Sequence, residues 1–297
     1  MTHDENERSG GLNRRQVLRA TGATTGAGIL GATAVQPASA QSLPDAVQEL
    51  ASDCRNDWES APDGYPRVDL RSETPTTSDL PSAPDELLIY AIGWGAEGQS
   101  GYDQAYTLER ALEQAGYEHP VVAAEWQSSS FNFWGVRDNA DRDGTRLADW
   151  LRAYREDNPD TTVRLAGLSM GARVPIAALD DLDGDVSVAS VSLFGGTIEH
   201  DVICSDSKRY DADAIERTAD AVYNYHSTED STTCSLIPLL SFDDLVGCEG
   251  VDCEGWFSDG SPPENWHDVD VSDRIDGHCD YQTPDEGIVD LVVEDFR

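Results

Sequence analysis

Lysine is almost missing from this chain: Lys208 is the only one, and 20 lysines and arginines together face 57 aspartates and glutamates, for a formal net charge of −37. That imbalance excludes nucleic acid as a partner, because a polyanion meeting phosphates releases no counterions and is repelled. Long apolar runs are missing as well. The stretch 20–35 is diluted by glycine and threonine and falls short of the roughly 20 strongly apolar residues that a bilayer span requires. No permanent membrane span is therefore expected after the N-terminus is processed. The six cysteines include no Cys-x-x-Cys pair, the knuckle of the usual zinc sites. The rival metal reading would use Cys248 and Cys253 with Cys234 or Cys204, but no metal and no cofactor is expected.

What is present suffices for a fold. A hydrophobic content of 39 % over 297 residues supports a sizeable core in one or two domains. A charge of this size destabilises a compact state by self-repulsion in dilute buffer. A concentrated-salt environment reconciles charge and core, and the near-absence of lysine with acids spread along the chain resembles the proteins of extreme halophiles.

The N-terminus reads as an address. Arg14 and Arg15 precede a mild apolar stretch that ends in Pro37-Ala38-Ser39-Ala40, the order of a positive region, an apolar region and a small-residue cleavage site. The arginine pair resembles a twin-arginine export signal. Residues 1–40 are thus expected to be a signal peptide that engages the export machinery, and the mature protein to be secreted and extracellular. All six cysteines, Cys54, Cys204, Cys234, Cys248, Cys253 and Cys279, lie beyond it, and an even number outside the cytosol points to disulfides whose pairing the sequence leaves open.

Residues 41–84 read as an N-terminal extension and linker, with an amphipathic piece at 46–58 and a Pro/Ser/Thr/Asp-rich stretch at 74–84. From residue 85 the pattern is regular. Expected strands at 87–92, 121–125, 162–166, 186–193 and 221–226 alternate with helices at 102–115, around Leu147, Trp150, Leu151 and Tyr154, and up to 179. Short apolar strands alternating with helices predict an α/β fold, a mostly parallel central sheet with helices on both faces. The segment 231–276 breaks this pattern as an acidic, Cys-bearing excursion or lid before a last helix at 285–296.

Between a strand and a helix stands Gly167-Leu168-Ser169-Met170-Gly171. A serine on a sharp strand-to-helix turn projects its hydroxyl above the sheet, and the turn is too tight for large flanking side chains. Pro175, early in the helix, is expected to bend it.

The strand ending in Gly93-Trp94-Gly95, the strand ending in Glu125-Trp126-Gln127-Ser128, the helix rich in Asp and Arg, and Gly-Leu-Ser-Met-Gly together resemble the α/β-hydrolase superfamily over residues 86–297. The resemblance implies Ser169 as nucleophile, an acid after a late strand and a histidine before the last helix. Asp230 and His278 stand in those places, with Glu229 and Asp201 as rival acids and His267 as the rival base. It further implies an oxyanion hole from the backbone amides of Met170 and Trp94, although the customary His-Gly pair is absent, since Ile92 precedes Gly93. Trp94, Trp126, Phe131, Phe133 and Trp134 could line an apolar substrate site, but core packing is the expectation for them. Cys279, beside His278, is expected to pair with a cysteine of the 231–276 segment and so restrain the histidine.

The resulting expectation is an exported serine hydrolase that cleaves a small-molecule or lipid-like carboxylic ester through an acyl-enzyme on Ser169. An amide, thioester or lipid hydrolase with the same triad stays open, as does a noncatalytic binding or cell-surface protein on the same scaffold.

Overall fold

Segments rich in apolar residues form the central strands. In the computed structural model, which describes Cys54 and residues 58–129, 132–254, 260–285 and 287–297, these are β3 (Glu86–Ala91), β4 (Val121–Glu125), β5 (Thr162–Leu168), β6 (Ser190–Phe194) and β7 (Val222–His226). They are almost wholly buried, as strands covered on both faces must be. Three further strands flank them: β1 (Arg67–Asp69) and β2 (Thr76–Ser78) at one edge and β8 (Trp266–Asp270) at the other. The sheet order is β2-β1-β4-β3-β5-β6-β7-β8. Among the described strands only the β1/β2 pair is antiparallel.

The helices are α1 (Gln99–Gln114), α2 (Phe133–Asp157), α3 (Arg173–Leu182), α4 (Ala212–Thr218), the short α5 (Pro238–Ser241) and α6 (Val246–Glu249), and α7 (Val289–Asp295). Crossovers between parallel strands are right-handed, so the connection leaving β3 toward β4 and those leaving β4, β5 and β6 in the other direction cover opposite faces. The contacts agree: α1 packs on α7, while α2 packs on α3 and α3 on α4. This is the α/β architecture expected from the sequence, with a mostly parallel sheet and helices on both faces. Because β3 turns away from β5 to reach β4, the carboxyl ends of β3 and β5 border the crevice where open α/β sheets bind ligands.

Several local expectations change. The stretch 74–84, read as linker, holds β2, and β1 precedes it, so the sheet extends into the 41–84 region. Part of the 231–276 excursion is β8, paired in parallel with β7. Its residues Trp-His-Asp-Val-Asp are largely exposed, so no apolar run marks them. The fourth expected strand begins at Ser190 instead of residue 186, and the last helix at Val289 instead of 285. Pro175 is the third residue of α3, in the first turn, where a missing N–H breaks no internal bond. The signal-peptide reading of 1–40, most of the 46–58 piece and Phe131 lie outside the described residues.

Candidate active site

β5 ends at Leu168, and a single 3₁₀ turn (Ser169–Ala172) leads into α3. Ser169 holds a left-handed backbone, φ +58°, which costs a residue with a Cβ about 1–3 kcal/mol and persists only where its surroundings impose it. The two flanking glycines show what imposes it here. A Cβ on Gly171 would stand 2.4 Å from the Ile92 carbonyl oxygen and 2.5 Å from that of Ala91, at the end of β3; one on Gly167 would stand 2.6 Å from the Gly171 carbonyl oxygen. The turn is therefore pressed between its own backbone and the neighbouring strand. The Thr197 amide donates to the Ser169 carbonyl at 3.1 Å and ties the turn to the end of β6.

Asp230 follows β7 and His278 follows β8. The two loops are joined by the Ser227 hydroxyl, which donates to the Ile275 carbonyl at 2.5 Å. Asp230 is fully buried. Its Oδ1 accepts the amides of Thr232 (2.9 Å) and Thr233 (3.3 Å), and its Oδ2 accepts from His278 Nδ1 at 2.7 Å and from the Tyr281 hydroxyl at 3.3 Å. Burial pushes this carboxyl up, but the imidazole beside it and the two amides outweigh burial, so it is held below the usual carboxylate range. Burial, reinforced by the Asp230 charge, pushes the Tyr281 phenol well up, keeping it a neutral donor.

With Nδ1 given to Asp230, the acceptor nitrogen of His278 is Nε2, which is buried and without a hydrogen-bond partner among the described residues. His278 and Ser169 line one cavity of about 40 Å³, with Trp94 and Gly93 from the loop after β3, Gln104 from α1, Thr232 and Ile237 from the 231–276 segment, and Cys54 and Trp58 from the N-terminal segment. Serine and imidazole thus share a cavity without a direct hydrogen bond, a spacing common in unliganded sites.

The Met170 amide opens the 3₁₀ turn, where the first N–H groups have no acceptor within the turn. In the loop after β3, Gly93 donates to Gln104 Oε1 (2.7 Å), Gly95 to the Ser128 carbonyl (3.1 Å) and Ala96 to the Gly93 carbonyl (3.3 Å). The loop carrying Trp94 is therefore fixed by hydrogen bonds to α1, to the segment after β4 and within itself.

The rival residues lie elsewhere. His267 is exposed on β8 and stacks on Tyr223, and Glu229 and Asp201 are both exposed. Of the aromatics, Trp126 is core, its indole N–H donating to the Ile92 carbonyl at 2.6 Å. Phe133 is buried against Trp94, whereas Trp134 is exposed with Arg137 over its ring. All six cysteines are paired, as Cys54–Cys279, Cys204–Cys253 and Cys234–Cys248, which leaves no thiolate for the rival metal site. The expected partner of Cys279 is corrected: it is Cys54, from the N-terminal segment, and the two cysteines 234 and 248 of the excursion bond to each other. Trp58, Gln104, Thr232 and Ile237 carried no local signal, since they reach the cavity from three separate parts of the chain.

Among the described residues no helix is long and apolar enough to cross a membrane. No protein-family model and no curated protein matches the chain. Solved structures similar to it include Trichoderma reesei cutinase in complex with a C11Y4 phosphonate inhibitor, at 19 % identity and a TM-score of 0.33 over 47 % of this chain and 60 % of that one. A cutinase-like protein from Cryptococcus sp. is 16 % identical, with a TM-score of 0.39 over 71 % of this chain and 92 % of that one. An acetylxylan esterase is 13 % identical, with a TM-score of 0.39 over 72 % and 99 %. The chain spans about 60 % of the length of the first of these.

Proposed function

We propose that this chain is an exported serine hydrolase that cleaves a carboxylic ester, with Ser169 as nucleophile, His278 as base and Asp230 as the acid that orients it. The observation that carries the reading is one cavity holding both a serine on a left-handed strand-to-helix turn and a histidine whose far nitrogen is bonded to a buried carboxylate. A serine hydroxyl is a weak nucleophile until a base removes its proton, and neutral imidazole does so near pH 7.

In this mechanism Nε2 of His278 takes the Ser169 proton as Oγ attacks the ester carbonyl carbon. Asp230 keeps the proton on Nδ1 and stabilises the imidazolium without itself being protonated. The carbonyl oxygen, now negative, is received by the amides of Met170 and Trp94, commonly the largest single contribution to such catalysis. The intermediate collapses, the alcohol leaves with the proton from Nε2, and water, activated by the same nitrogen, hydrolyses the acyl-enzyme. Three disulfides fit an oxidising compartment, in keeping with the twin-arginine-like N-terminus, and the charge of −37 fits a high-salt habitat.

The test is labelling by a fluorophosphonate in molar salt, together with hydrolysis of p-nitrophenyl acetate. Wild type takes up the probe and turns over the ester; Ser169→Ala does neither while keeping its circular dichroism. A wild-type protein that remains unlabelled and inactive overturns the reading.

A further inference from the structure

Two residues of the cavity wall come from outside the βα units. Cys54 and Trp58 line it together with Ser169 and His278, and attachments lie on either side of the pair. On one side Cys54 is bonded to Cys279, the neighbour of His278. On the other, the Glu59 amide donates to Thr107 Oγ1 at 2.8 Å and the Ala61 amide to Asp103 Oδ1 at 2.8 Å, both acceptors on α1, while Gln99 Nε2 returns a bond to the Ala61 carbonyl at 3.2 Å. The same helix contributes Gln104 to the cavity. The wall is thus clamped between α1 and the loop carrying the histidine.

The volume behind this wall is small. A cavity of about 40 Å³ compares with the roughly 10–15 Å³ needed to hold one water, and so admits only a few heavy atoms beside the Ser169 hydroxyl. Its other walls include buried side chains such as Leu168 and Ile237, which cannot retreat without disturbing the core, and the half-buried Trp94, which packs on that core and against Phe133. Trp58 is half-buried, outside the sheet and, unlike Trp94, not packed on the core, so it is the large side chain there whose removal leaves the core closed.

We propose that Trp58, held in place by the Cys54–Cys279 disulfide, is the specificity-determining wall of the site and limits it to esters of short acyl groups of about two to four carbons. This rests on the serine-hydrolase reading above. Cys54 and Cys279 act as positioning residues: they hold Trp58 against the cavity and the His278 loop against Asp230. Each extra methylene that a pocket refuses discriminates by about tenfold or more, so the wall should be legible in an acyl-length series.

The experiment measures kcat/KM for p-nitrophenyl acetate, butyrate and octanoate in molar salt, with labelling by fluorophosphonates of short and long alkyl chain as a parallel readout. Wild type should favour acetate and butyrate over octanoate by about a hundredfold or more. Trp58→Ala should move the octanoate-to-acetate ratio at least about tenfold toward octanoate, and Trp58→Phe should return it most of the way. Cys54→Ser combined with Cys279→Ser should move it in the same direction as Trp58→Ala. Variants that slow every ester by one common factor would mean a purely structural role and overturn the proposal, as would a wild type that already prefers octanoate, which leaves the serine reading intact. A wild type that neither hydrolyses any ester nor takes up any probe removes the serine reading, and the wall with it.

Discussion

His278 Nδ1 lies 2.7 Å from Asp230 Oδ2, and the residue that follows the histidine, Cys279, is covalently joined to Cys54, 225 positions away. The imidazole is therefore held by a carboxylate on one side and by a cross-link to the N-terminal segment on the other. A loop as polar as Gly277-His278-Cys279-Asp280 has little apolar area with which to fix itself, and these two attachments supply the constraint.

The carboxylate attachment has a pH signature. Asp230 has its pKa lowered in the folded protein, so its contribution to stability is present above the unfolded value of about 3.9 and is lost as the pH falls below that toward the folded value. Asp230→Asn should flatten the dependence of Tm on pH below about 4 relative to wild type, and lower kcat by about 10³–10⁴-fold at neutral pH through loss of the correct tautomer. Thermal melts between pH 2.5 and 7 and a single-ester kcat measure both. A variant whose acid limb matches wild type would contradict the assignment.

The left-handed backbone of Ser169 makes different outcomes expected from its two smallest substitutions. Glycine adopts φ +58° without penalty, so Ser169→Gly should be more stable than Ser169→Ala by about 1 kcal/mol, read as a difference in denaturant midpoints. Equal midpoints would show that the turn stores no strain.

Loop-closure entropy ranks the cross-links. Cys54–Cys279 spans 225 residues and Cys234–Cys248 spans 14, and constraint of the unfolded chain scales with the logarithm of that span, giving about 5 against about 3 kcal/mol. Paired Cys→Ser substitutions at 54 and 279 should lower the midpoint more than those at 234 and 248. The reverse order would mean that native contacts, and not the unfolded chain, dominate.

Charge governs the response to salt. With a net charge of −37, self-repulsion should fall as the screening length shrinks from about 10 Å at 0.1 M to about 3 Å at 1 M. Tm is expected to climb steadily with KCl up to molar concentration. A flat profile by calorimetry would count against a high-salt habitat.

The amino-acid sequence by itself determined the features that are local or follow chain order: the central strands, whose apolar residues need no partner to be recognised; the Gly-x-Ser-x-Gly turn between β5 and α3; and the places of Ser169, Asp230 and His278 along the chain. The edge strands β1, β2 and β8 left no such trace, because a short strand half exposed to water carries no apolar run, and only pairing, of β1 with β4, β2 with β1 and β8 with β7, defines it. In a chain with 57 acidic residues, spacing could not separate Asp230 from Glu229 or Asp201. The fold did, by turning one into the interior beside His278 and leaving the other two in solvent. Nor could spacing join Cys54 to Cys279, or bring Trp58 to the serine. Those meetings depend on how α1 and the last loops pack around the end of the sheet, and contacts between segments so distant in sequence exist only once the whole sheet has closed the chain between them.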